Sequence, residues 1–362
     1  MTVSEAASVI SDRIKTIRPH WRGRIYAIIG LCIVVIVVVA IATTIGSVKI
    51  PILTTLRILV SQLPFIDFSP DWTGNTETIL LNIRLPRIVL AGIIGAALSV
   101  AGATYQGLFR NPLADPYLIG AAQGAALGAV IGFLLPIEFS MMGFGLIPLL
   151  AFSGAIISVT VVYILARVGK TVPVTTLILA GVALGALWGA IYSYLVIISG
   201  DKIHPIIFWV MGSFSMTDWS EVGIVLPYIA AGIIVILLYS RSLNVMQLDE
   251  EQAKQLGINV ERTKLILLAA STLITAAAVS FVGTIGFVGI IIPHAVRLIW
   301  GPDHRFLLPL SILTGAIFLI LADLIARTVM APTEIPIGII TAICGVPFFL
   351  YLLRRRKGII YF

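Results

Sequence analysis

The chain has 362 residues, of which 59% are hydrophobic and 11% charged, with a mean hydropathy of +1.07. Soluble domains average roughly 45–50% apolar and about 25% charged residues, so a soluble globular fold is excluded and a polytopic membrane protein is expected. The formal charge of +7 does not imply nucleic acid, because the basic residues sit in short runs between apolar stretches and form no DNA- or RNA-binding motif.

Residues 1–24 form a mixed tail with Arg13, Lys15, Arg18, Arg22 and Arg24. The tail runs into an apolar window without an Ala-x-Ala cleavage site, so it reads as a cytoplasmic N-terminal segment ahead of a retained first helix. Apolar windows then fall at 25–46, 86–108, 117–135, 146–167, 173–198, 221–240, 264–284, 286–300, 306–326 and 336–353. At a rise of 1.5 Å per residue, about twenty such residues cross a hydrocarbon core of roughly 30 Å. The least certain boundary lies near Gly283–Gly289, where Phe281 to Pro293 fits either a surface turn or a bend within the membrane.

The second window, Pro86 to Leu108, is rich in small residues, among them Gly92, Gly95, Ala96, Ala97, Ser99, Ala101, Gly102 and Ala103. Small residues let backbones approach closely, which predicts a helix at the centre of the bundle. An even count of spans puts both termini on one side. Eighteen of the 24 Lys and Arg residues then share the side of the basic N-terminus, and only Lys49, Arg57, Arg84, Arg87, Lys202 and Arg327 lie opposite. This is the positive-inside pattern for cytoplasmic termini. Pro173-Val-Thr-Thr leading to Gly181 echoes Pro336-Ile-Gly-Ile leading to Gly345, at the starts of windows running in opposite directions. The expected fold is an all-α polytopic membrane protein of about ten transmembrane helices, an inverted-repeat bundle. Its ten-helix membrane domain covers 25–357 and a short cytoplasmic tail covers 358–362.

Several polar groups stand out against this apolar background. Arg84 and Arg87 precede the second window and Arg327 follows the ninth, four residues after Asp323. They can anchor helix ends by snorkelling, or form a cationic rim for carboxylates of a docking protein. The polar insert Leu243 to Lys264 reads as two short helices, the first capped by Asp249, braced by a Glu250–Lys254 pair and ended at Gly257, the second capped by Asn259. Asn111-Pro-Leu-Ala-Asp115-Pro has the chemistry of a turn. Tyr105, Gln106 and Gln123 lie in or near windows two and three, where unsatisfied groups cost several kcal/mol, roughly, so each must face protein or a watered path. Gly181, Gly185, Trp188 and Gly189 give window five a face of small residues and one indole, suited to packing or to the wall of a pore. Cys32 and Cys344 lie in apolar windows and are expected to be buried. His294 reads as a structural or gating histidine, and His204 as a freer one outside the membrane.

Chemistry-bearing motifs are missing. The sequence contains no phosphate loop of the Walker type, no His-Glu-x-x-His and no Cys/His/Asp cluster at metal-ligand spacing. Neither a cofactor nor a catalytic residue is expected. A secondary transporter would carry several midplane carboxylates, yet Asp323 is almost the only acid inside a window.

Arg84-Leu-Pro-Arg87, then Gln106-Gly-Leu-Phe-Arg-Asn-Pro-Leu-Ala-Asp-Pro, then Gly120 and Gly124 resemble the permease subunits of ATP-binding-cassette importers for ferric siderophores, haem and cobalamin. The likeness extends over nearly all of residues 25–357. It implies a homodimer in the inner membrane of a prokaryote, with a separate ATPase subunit dimer on one side and an extracytoplasmic substrate-binding protein on the other. It implies that Arg84, Arg87 and Arg327 receive acidic residues of the binding protein. Glu250, Glu251, Leu256, Gly257 and Ile258, in coupling helices at about 245–260, would meet the ATPase. Gln106, Asn111, Asp115, Gly181, Gly185, Trp188 and Gly189 would line or gate the pathway. The cargo implied is a metal chelate, cobalamin or a ferric siderophore ahead of haem, since no axial ligand points into the path.

Overall fold

A computed structural model describes residues 21–356, apart from 47, 49, 63–70, 138–139, 142–143 and 216. The expectations for the first twenty residues, Lys49 and residues 357–362 lie outside the described residues. The chain is almost wholly helical. Its helices are α1 (Trp21–Thr44), α2 (Ile52–Ser61), α3 (Gly74–Thr78), α4 (Leu85–Leu108), α5 (Ala121–Leu134), α6 (Leu146–Ala166), α7 (Val174–Ile197) and α8 (Ile203–Val210). They continue with α9 (Trp219–Leu238), α10 (Ser240–Met246), α11 (Glu250–Gln255), α12 (Val260–Val282), α13 (Val288–Trp300), α14 (His304–Ala326) and α15 (Ile337–Arg356). One two-residue hairpin, Ser140–Met141 with Phe144–Gly145, joins α5 to α6.

Each of the ten apolar windows holds one helix. Among the described residues, seven helical stretches are long and apolar enough to cross a membrane by themselves, whereas Ala121–Leu134, Val288–Trp300 and Ile337–Tyr351 are shorter. The boundary at Gly283–Gly289 is a non-helical break between α12 and α13, with Gly283 at φ 72° and Phe287 at φ 70°. Ahead of α4, residues Ile79–Arg84 form a π-helical turn. Pro86 has no N–H to donate to the preceding turn, and a widened turn at that point absorbs the lost bond.

Helix α4 occupies the centre, as its small residues predict, with 83% of its apolar window buried against 22% for α7 and 11% for α1. The reason is steric. A Cβ on Gly95 would overlap the carbonyl of Gly315 in α14, and one on Gly102 would overlap that of Gly289 in α13. Such backbone approaches stand in for the hydrophobic drive that lipid does not supply. The packing is reciprocal: α4 lies against α14, and α12 lies against α6. Exchanging the segment α4–α7 with α12–α15 maps one contact onto the other, which is the relation a two-fold internal repeat requires.

Cys32 and Cys344 are both exposed rather than buried. They project from outward faces of peripheral helices, where an apolar window meets lipid or another chain instead of the core.

Candidate functional site

Three groups of residues form the site. At the Arg84 end of the bundle an ion cluster ties the central helices together. Arg87 holds Asp323 through Nε at 3.0 Å and Nη2 at 2.8 Å, and Glu334 through Nη1 at 2.7 Å. Arg327 approaches the same Asp323 at 3.5 Å and donates to the carbonyl of Ala42. Arg84 donates to the carbonyls of Thr43, Thr44 and Val48. All three guanidinium groups are buried and turned inward, not spread as an open rim. The resulting lattice fixes α1, α4 and α14 to one another. Glu334, on the loop before α15, is half-exposed; burial opposes its charge, but hydrogen bonding to Arg87 holds its carboxyl below the usual range. Ser215 donates a further hydrogen bond to it at 3.0 Å.

At the other end the polar insert folds as α10 and α11. Asp249 caps α11, Gly257 stops it at φ 84°, and Asn259 caps α12 by accepting from Arg262 N at 3.1 Å. The second capped helix is therefore the long α12 itself, not another short one. Glu250 does not pair with Lys254; its carboxylate meets the buried Lys264 at 2.7 Å, and Glu261 shares that lysine at 3.2 Å. Lys264 lies on α12 one turn beyond Glu261 and captures the carboxylate because it is shielded from water and a solvated Lys254 is not. Glu251 and Gly257 stand exposed, Leu256 is 63% exposed and Ile258 is half-buried against the core.

Upstream, Asn244 of α10 bonds to the start of α14. Its Oδ1 accepts from His304 N at 2.8 Å and its Nδ2 donates to Asp303 at 2.6 Å. Asp303 also accepts from Arg305, and these bonds, against the opposing effect of burial, hold its carboxyl down at about 2.

Between the two ends a groove runs along α7. A cavity of about 520 Å³ is walled by Asp115, Tyr117, Gln123, Gly181, Gly185, Gly189 and Tyr192, with Gly286, Phe287 and Ile290 across from them. Two further hollows of about 190 and 240 Å³ share Tyr192 with it, meet each other at Val210 and reach Ile197. Of the expected pathway residues, Asp115, Gly181, Gly185 and Gly189 meet here. Gln106, Asn111 and Trp188 do not. Gln106 is buried, donating to the Gly289 and Ile290 carbonyls and accepting from Arg297 at 2.8 Å. Asn111 closes its own turn on Leu113 N at 3.0 Å, and Trp188 donates to Ser158 on α6 at 3.1 Å.

Asp115 accepts from Tyr117 N at 2.7 Å and so caps the 3-10 turn Pro116–Ile119; burial pushes its carboxyl up to about 6. Tyr117 reaches across to the α12–α13 break, donating to Ile285 O and accepting from Ile285 N, both at 3.1 Å. Tyr192 and Phe287 line the groove without any sequence signal of their own. Gln123 carries one, since a carboxamide in an apolar window needs a partner or a cavity.

A helical bundle with a buried ion cluster at one end, a projecting short helix at the other and an open glycine-walled groove between them defines a multi-pass membrane transport protein. The chain belongs to the FecCD transport family, whose model matches residues 33–355. It is 50% identical to the cobalamin import system permease BtuC of Halobacterium salinarum, over 78% of this chain and 74% of that one. It is 41% identical to the hemin transport system permease HmuU of Yersinia pestis, over 81% and 89%. A metal-chelate type ABC transporter solved in an inward-facing conformation superposes with a TM-score of 0.77 at 31% identity, covering 91% of this chain and 98% of that one. The chain is thus the permease component of an ATP-binding-cassette importer. In this family the permease works with ATPase and substrate-binding proteins, and ATP hydrolysis belongs to the separate ATPase.

Proposed function

We propose that two copies of this chain form one translocation pathway for a metal chelate in the cytoplasmic membrane of a prokaryote. Ten spans put both termini in the cytoplasm. The α7 groove carries the proposal. Leu179, Val182, Leu187, Tyr194 and Ile197 leave that helix largely exposed beside an open cavity, and a second copy would close it. An ATPase dimer grips α10 and α11 through Leu256, Glu251, Gly257 and Ile258, with Glu250 bracing the grip from behind. A binding protein docks at the opposite end, over Arg84, Arg87 and Arg327. There Glu334 is the replaceable partner: a carboxylate of the binding protein takes its place on Arg87 while Asp323 keeps the guanidinium oriented. Nucleotide-driven closure of the ATPases moves the short helices, and the groove alternates between its two ends.

The cargo we favour is cobalamin or a ferric siderophore, in keeping with the 50% identity to a cobalamin import permease. The pairing is testable by cysteine cross-linking. With Cys32 and Cys344 replaced, Leu187→Cys should form a disulfide-linked dimer in native membranes, and Ile36→Cys on the outward face of α1 should not. The opposite pattern would reject α7 as the seam.

A further inference from the structure

Residues that line the groove differ in one respect from those at either end of the bundle: among the described residues no Lys, Arg or His borders any of the three hollows. Polar lining groups are Asp115, Tyr117, Gln123, Tyr192, Ser193 and Thr284. Three of them are engaged elsewhere: Asp115 accepts from Tyr117 N, the Tyr117 hydroxyl is spent on Ile285, and Thr284 donates to the Val210 carbonyl. Gln123 is different. Its Oε1 is buried and accepts no hydrogen bond among the described residues, while its carboxamide borders two of the hollows and lies against Gly185.

A carboxamide offers one acceptor oxygen and two N–H donors; the open Oε1 takes a hydrogen bond from an amide N–H, which a bare carboxylate cannot give. The nearest lining charge, Asp115, is negative, and the groove extends about 24 Å along α7 from Gly181 to Ile197 at 1.5 Å per residue. An anion entering such a path loses water, meets no cation and approaches a like charge; in a medium of low dielectric each of these costs more than it would in water. A neutral ligand bearing amides meets none of these obstacles and finds a partner at Gln123.

We propose that the groove selects cargo by charge, passing neutral, amide- or hydroxamate-bearing metal chelates and rejecting polyanionic ones, with Gln123 and Asp115 as the selecting residues. This rests on the importer reading above.

The test uses the complete importer, with its ATPase and binding protein, in proteoliposomes. Probes of one scaffold and different charge are compared: cyanocobalamin with its carboxylate derivative in which one amide is hydrolysed, and a neutral ferric trihydroxamate with its carboxylated form. Ferric dicitrate and haem serve as polyanionic probes. For the neutral probe that moves, the carboxylated form should move at least about tenfold more slowly at saturating binding protein. Gln123→Lys, and independently Asp115→Asn, should each narrow that ratio by about threefold or more. Stimulation of ATP turnover by the loaded binding protein reports on the importer reading separately. If turnover is stimulated but carboxylated and neutral forms move within about threefold of each other, or only ferric dicitrate or haem moves, or nothing moves, charge selection is overturned while the importer reading stands. Failure of the binding protein to stimulate turnover overturns both.

Discussion

Asp323 is the residue on which the Arg84 end turns, since two buried arginines share its carboxylate. Removing one partner of a buried ion pair leaves an uncompensated charge, at a cost of about 3–5 kcal/mol. Asp323→Ala should therefore lower the thermal midpoint of the detergent-purified protein markedly. Arg57→Ala, which breaks an exposed pair with Asp71, should change stability by only about 0–1 kcal/mol. Equal effects of the two would contradict the assigned roles. Asp115 gives a pH signature. Its carboxyl stands at about 6 in the folded chain against 3.8 for the free group, so between those values the folded state binds more protons than the unfolded. Its contribution to stability consequently falls as pH rises through that window and stays low above it. Asp115→Asn keeps an N-cap oxygen and removes the titration. Midpoints measured across the window should show a shallower decline with pH in the variant than in the wild type, and identical slopes would count against burial of the charge. Arg84, Arg87 and Arg327 were legible in the sequence as a group, but their inward direction was not, because Ala42, Thr43 and Thr44 lie far away in the chain and become partners only when α1 packs beside α4.

Among elements, α11 is the clearest case of sequence signals read locally. Asp249, Gly257 and Asn259 take their expected places because caps and stops act within a turn. Glu250 pairs with Lys264 instead of Lys254 because the fold of the connector brings Lys264 beside it, a contact that spacing does not encode. This division yields a paired prediction. Leu256→Ala should leave the thermal midpoint unchanged, since the side chain touches water, yet weaken ATPase assembly by roughly tenfold, as for one apolar anchor at an interface. Glu250→Ala should instead lower stability, by leaving the buried Lys264 with Glu261 as its one remaining carboxylate among the described residues. Titrating purified ATPase onto each variant, with unfolding followed in parallel, separates the two; a Leu256→Ala protein with wild-type assembly and uptake would remove α11 from the interface.

For the whole molecule, the apolar windows located the ten helices to within a few residues because lipid demands long, uncharged runs. The groove was half legible. Glycines of α7 marked a thin wall, but Phe287, at φ 70° in the break between α12 and α13, and Tyr192 enter it through tertiary placement alone. Trp188 illustrates the same limit from the other side: its neighbours on α7 line the groove while the indole turns to Ser158 on α6. A helix face can be read from periodicity, yet which of two neighbouring helices claims a bulky side chain depends on the packing of all three. The groove, the ion cluster and the exposed α11 fit the proposal that the chain passes cargo between its two ends at the expense of ATP hydrolysed elsewhere. The most direct measurement is uptake into proteoliposomes that contain this chain, its ATPase and its loaded binding protein, with cobalamin, a ferric siderophore and haem as radiolabelled cargoes. The account predicts accumulation of one cargo that requires ATP and stops when the chain is omitted; a chain that associates with no ATPase and moves cargo, if at all, independently of ATP would contradict it.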